Sequence, residues 1–204
     1  SEATMRGALR VSKAPVIFSH SSARALVDHP RDVPDDVLKL VAANGGVVMV
    51  AFAPNYVSDV MRHWSAEFAA EKARLNAPPF GGLYIGQPDK ADAALKQWQL
   101  DNPRPQATLA QVADHIEHIA KVAGVDHVGI GSDFDGLSNE LPVGLQDVAT
   151  YPALLAEMMR RGWSDADVAK LAGGNVLRVM AAAETVAASM RDEAPGTMTI
   201  EANK

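Results

Sequence analysis

Residues Ala14–Arg24 read APVIFSHSSAR. A nearly continuous apolar run, Pro15 to Phe18, stops abruptly on Ser19, His20 and a serine pair. A run without polar alternation predicts a strand buried on both faces, as in a parallel sheet. In such sheets ligands are met at the carboxyl ends of the strands, so His20 stands where chemistry, rather than packing, is expected. Working outward, Gly46 to Phe52 (GVVMVAF) is nearly continuous in apolar residues in the same way, and His127 to Phe134 (HVGIGSDF) is a third strand-like run. Asn55 and Tyr56 follow the second run, and Asp133 and Asp135 close the third. Three strands thus deliver polar groups to one rim.

The connections are helical. DVPDDVLKLVAANGG predicts a helix with Asp32 as N-cap and Pro34 in its first turn; Val37, Leu40 and Val41 share one face and Gly45 ends it. A longer connection follows. Val57 to Leu75 has a helical pattern, Asn76 to Pro88 is a Pro/Gly-rich break, and Asp89 to Leu100 is a second helix. Thr108 then caps a helix whose apolar stripe is Leu109, Val112, Ile116 and Ile119. Ala153 to Arg161, Ser164 to Leu171 and Gly174 to Met190 are the remaining helical segments. Strands alternating with helices give an open doubly wound sheet or a closed β/α barrel.

Composition excludes several classes. The 204 residues are 48% hydrophobic and 22% charged, ordinary for a globular domain with a sizeable core. A net charge of −6 leaves no basic surface for nucleic acid. Without cysteine there is no disulfide framework, thiolate ligand or cysteine nucleophile. No window approaches the roughly 18 apolar residues of a membrane span. Neither glycine-rich phosphate-binding pattern occurs, and GIGSDFDG carries two carboxylates that would repel phosphate. Its D-x-D-G also lacks the later ligand positions of a calcium loop. A histidine and a carboxylate at strand ends suit a hydrolase that binds metal through imidazole and oxygen and moves protons with a spare carboxylate.

Together PVIFSHSSAR, DVPDDVLKLV, AFAPNY, TLAQVADHIEHIAKVAG and HVGIGSDFDG resemble the membrane, or renal, dipeptidases, peptidase family M19, in their bacterial branch. The likeness runs from Ser1 to about Ala183, and the ordered set is far more specific than any one motif. It implies an α/β fold: the C-terminal half of a (β/α)8 TIM barrel of the metal-dependent hydrolase type. Residues 1–190 would belong to that barrel, 60–104 would be an inserted helical segment and 191–204 a polar tail. It implies a zinc-dependent dipeptidase in which two Zn2+ ions share a hydroxide that attacks the peptide carbonyl of a free dipeptide. His20 then matches a zinc-binding histidine. Arg31 and Tyr56 match residues that hold the substrate's terminal carboxylate, and Asp133 matches the acidic residue that assists proton transfer and contacts the free amine. The family's His-x-Asp pair, bridging glutamate and further zinc histidine are expected upstream of Ser1. The partners so implied are a dipeptide and a second copy in a homodimer, with no nucleic acid and no membrane anchor; a cytoplasmic location is the default expectation.

Each assignment competes with a plainer one. A lone histidine is ordinarily a core residue satisfied by a carbonyl; strand-end position and motif favour a ligand for His20. Arg31 could be a solvated loop arginine, but its planar fork suits a carboxylate. Tyr56 could pack with a wet hydroxyl, and Asp133 and Asp135 could be turn residues. His115 and His118, three apart in DHIEHI, are expected on a solvated face among Asp114 and Glu117, and His29, His63 and His127 have no supporting context. The rival readings are a barrel hydrolase acting on another amide, a lactam or a phosphoester, and a non-catalytic barrel fragment.

Overall fold

The computed structural model describes residues 1–76, 82–137 and 140–193. Residues 77–81 of the predicted Pro/Gly-rich break, and 194–204 of the predicted tail, lie outside the described residues.

Helix α1 (Glu2–Val11) is capped by Ser1, whose side chain accepts from the Thr4 N–H. It leads into strand β1 (Ile17–Phe18), helix α2 (Asp35–Asn44) and strand β2 (Val47–Ala51). Then come a short α3 (Pro54–Val57), α4 (Asp59–Leu75), α5 (Pro88–Asp101) and α6 (Leu109–Ala123). Strand β3 (Val128–Ser132) and helices α7 (Tyr151–Arg160), α8 (Asp165–Ala169) and α9 (Asn175–Ser189) complete the order. The strands form one parallel sheet, β1-β2-β3. Crossovers of this kind need an intervening helix, and α2 and the α3–α6 segment supply them.

The apolar runs dictate the core. Val47, Val48, Val50, Ala51 and Phe52 are fully buried. So are Val37, Leu38 and Val41 of α2, and Val112, Ile116 and Ile119 of α6. Helices α2 and α6 pack on one another and on β2. Each such Val, Leu or Ile contributes about 1.5–3 kcal/mol by leaving water. Thr108 and Gln111 form a reciprocal capping box at the start of α6. Between α4 and α5, Trp64, Phe68 and Trp98 make a separate aromatic cluster with centroids 5.2–5.9 Å apart.

Several expectations are corrected. Strand β1 is not buried on both faces: Ile17 is 38% exposed, because β1 is an edge of the sheet among the described residues. Pro34, not Asp32, is the N-cap of α2, and Leu38 rather than Leu40 faces the core. The segment expected from Val57 divides at Ser58, whose side chain caps α4. Helices α8 and α9 join through a widened turn, Lys170–Gly174, instead of separating.

Candidate active site

Strand β3 carries the site's most constrained backbone. Val50 pairs with Ile130 but Ala51 pairs with Ser132, so Gly131 is an extra residue bulged out of the ladder. A Cβ on Gly131 would lie 2.4 Å from the Ser19 carbonyl oxygen and 2.7 Å from that of Met49. The bare glycine therefore lets the end of β1 cross against β3. Ser132 and Asp133 follow with φ of 37° and 73°, left-handed values that non-glycine residues adopt at a cost. The Ser132 hydroxyl is 2.7 Å from that of Tyr151, which holds this turn to α7.

The result is convergence. His20 Nε2 lies 3.8 Å from Asp133 Oδ1, with side chains 39% and 26% exposed. On the other side of the ring, His20 Nδ1 is 2.9 Å from the Ser19 hydroxyl. With Nδ1–H donated there, Nε2 presents its lone pair toward the aspartate, the arrangement a metal-ligating imidazole needs. Behind the carboxylate, a Cβ at Gly136 would stand 2.4 Å from Asp133 Oδ1. Glycine at 136 thus leaves room for the carboxylate. Asp135 is exposed, with no hydrogen bond or ion pair of its side chain among the described residues.

Arg31 and Tyr56 meet one another. The Arg31 guanidinium carbon is 5.2 Å from the centre of the Tyr56 ring, a cation–π distance. His29, unassigned by the sequence, stacks on the same ring at 4.2 Å. Burial, followed by nearby Arg62, Arg31 and Arg24, pushes the His29 pKa below its usual value and favours the neutral ring. Tyr56 is raised, chiefly by burial, and feels the charges of Asp32 and Asp133. Arg31 and His20 line one cleft of about 480 Å³, together with Ser19, Phe18 and Met5. Asp133 does not line this cleft; it meets the cleft only through His20.

Two buried groups underlie this surface. Asp32 is fully buried: Oδ1 accepts from the Ser22 N–H at 2.8 Å, while Oδ2 has no partner among the described residues. Burial, only partly offset by that hydrogen bond and by Arg24, Arg31 and Arg62, pushes its pKa up to about 8. His115 is also buried, at 1% exposure, contrary to the expected solvated face, and burial lowers its pKa to about 4. His118 is half-buried, 2.7 Å from Asp35.

A pH effect follows. Between 3.8 and about 8 folded Asp32 holds a proton that the unfolded chain has released. Its contribution to stability therefore falls with rising pH, by at most about 1.4 kcal/mol per unit. His115 has the opposite slope between about 4 and 6.5, where only the unfolded chain is protonated. From pH 6.5 to 8 only Asp32 contributes of the two. Asp32→Asn keeps the acceptor for Ser22 and removes the ionisation. Denaturant midpoints should fall across that interval in the parent and stay level in the variant; equal slopes would contradict a raised Asp32.

The metal that the sequence resemblance implies can be tested against these donors. Among the described residues no group of three or more His, Cys, Asp or Glu side chains converges. A tetrahedral zinc would need about four ligands, and His20 with Asp133 beside it would supply at most part of such a set. No helix among the described residues is long and apolar enough to cross a membrane.

The family model for membrane dipeptidase (peptidase family M19) matches residues 1–194. A dipeptidase of Aspergillus oryzae, aclJ, is 39% identical over 195 residues, 96% of this chain but 36% of that protein. The crystal structure of the probable dipeptidase PvdM from Pseudomonas aeruginosa superposes with a TM-score of 0.68 at 31% identity, covering 89% of this chain and 48% of that one. A metallopeptidase from Rhodobacter sphaeroides, liganded with a phosphinate mimic of the dipeptide L-Ala-D-Ala, shares the fold at TM-score 0.64 and 24% identity, covering 89% and 40%. The chain thus spans between about a third and a half of these relatives' lengths. On its own sequence and fold, the chain belongs to the membrane dipeptidase family, peptidase family M19.

Proposed function

We propose that this chain is the C-terminal half of a (β/α)8 barrel zinc dipeptidase that hydrolyses free dipeptides, the other metal ligands coming from residues outside it. The observation that carries the reading is the 3.8 Å approach of His20 Nε2 to Asp133 Oδ1, delivered by strands on either side of β2. The dipeptidase names of the Aspergillus and Pseudomonas relatives support the substrate class.

Zinc, when bound, supplies Lewis acidity and lowers the pKa of water toward neutrality. The chain's own residues do the rest. His20 offers Nε2 as a ligand, with the Ser19 hydroxyl 2.9 Å from its Nδ1. Arg31, steadied over the Tyr56 ring, pairs with the substrate's terminal carboxylate. Asp133 accepts a proton as water attacks the peptide carbonyl and delivers it to the departing amine as the C–N bond breaks. It also faces the free amine, so a blocked N-terminus would lose that partner. Residues 1–190 act as one barrel segment and 60–104 as an insertion in it.

The test uses the complete enzyme. Hydrolysis of a free dipeptide, little turnover of its N-acetyl form and about two zinc ions per site are expected. Preference for the N-blocked amide would point instead to another amidohydrolase activity, and absence of metal after zinc supply to a non-catalytic role.

A further inference from the structure

His115 lies outside the residues assigned above to substrate or metal, yet it holds one of the loops that carry them. Its Nδ1 accepts a hydrogen bond from the Ala23 N–H at 2.9 Å. That nitrogen carries no proton, so a neutral ring has its proton on Nε2; His115 and Val57 line the same small cleft between α6 and α3. Ala23 sits in the loop after β1, between His20 and Arg31 in the chain, and bridges to Val33. Val57 ends α3, immediately after Tyr56. Ser22 and Val33 complete the loop's closure: Val33 N donates to Ser22 O at 2.8 Å, and Arg24 N to Val33 O at 3.0 Å.

We propose that His115 is a positioning residue: one buried imidazole on α6 holds the Ala23 amide while α6 packs on α3 beside Val57, and so sets Arg31 on the Tyr56 ring. The inference rests on the reading that this pair holds the dipeptide's carboxylate. A rigid helix behind both loops is a better support than either loop alone, because α6 is fixed by its own buried stripe. The Ala23 amide also closes the one tautomeric choice open to the ring, because an N–H donor leaves Nδ1 no proton. His115 does not touch substrate; its effect reaches the site through the backbone it holds.

The variants separate this from mere packing. Asparagine places its carbonyl oxygen near the Nδ1 position and keeps the acceptor for Ala23, glutamine keeps a donor near Nε2 but not that acceptor, and leucine keeps neither. In the complete enzyme, His115→Leu should raise KM for a free dipeptide by about tenfold or more while kcat moves less and zinc content holds, since displacing a clamp weakens binding before chemistry. His115→Asn should recover most of the lost affinity. Hydrogen exchange at the Ala23 amide should quicken about tenfold in the leucine variant and return toward the parent rate in the asparagine one. Where the leucine protein does not fold, His115→Gln should show the same KM rise. An unaltered KM in every folded variant lacking the acceptor, or an equal loss in kcat and KM terms unrelieved by asparagine, overturns the proposal. If the parent enzyme cleaves no dipeptide, the functional reading fails, and exchange at Ala23 still decides whether His115 holds the loop.

Discussion

Replacing His20 by alanine in the complete enzyme is expected to lower both zinc content and hydrolysis. The fall should exceed the roughly 10- to 100-fold that loss of a ligand's outer hydrogen-bond partner costs, because here the ligand itself is removed. Stability of the metal-free protein should hardly change: the side chain is 39% exposed and its neighbour Asp133 is 3.8 Å away, too open a pair to contribute much to folding. Metal analysis and kinetics on the same preparation decide it. Zinc and rate both at parental values would remove His20 from the site, and with it the convergence on which the dipeptidase reading stands.

The second large effect is expected at Asp133. Asp133→Asn keeps the shape but no longer accepts a proton, so kcat should drop by about 10²- to 10⁴-fold with zinc largely retained. The contrast with His20 is the informative part: one substitution empties the site, the other stalls it. Gly136→Ala reaches the same carboxylate from behind, since the added carbon would stand 2.4 Å from Asp133 Oδ1 and must push it aside. A smaller loss in kcat is expected there. Metal loss in Asp133→Asn equal to that of His20→Ala would make the aspartate a ligand rather than a proton carrier.

The outline of the fold was legible because long apolar runs have few alternatives. Val47–Ala51 and Val128–Ser132 are short, rich in Val, Ile and Gly, and bounded by helical segments, which favours strands, so polar residues at their ends were visible candidates. What escaped depended on partners that side-chain patterns do not display. Asp32 resembled a cap because it precedes Pro34, yet its partner is the amide of Ser22, ten positions back. His115 was misread through its charged neighbours Asp114 and Glu117, although it lies three residues after Val112 and four before Ile119, on the flank of the same stripe. Its partner amide is 92 residues away. His29 gave no signal at all, since stacking on Tyr56 joins two loops whose approach only the folded chain specifies.

The left-handed backbone at Ser132 and Asp133 bears on how this protein could be altered. Glycine would occupy either position without the penalty, of order 1–3 kcal/mol each, that a side chain incurs there. A laboratory search for heat resistance alone would therefore be drawn to glycine at 133, and each success would discard the carboxylate. Robustness and turnover pull on this turn in opposite directions, so any hardened version of the enzyme has to draw its gains from helices remote from the β3 rim.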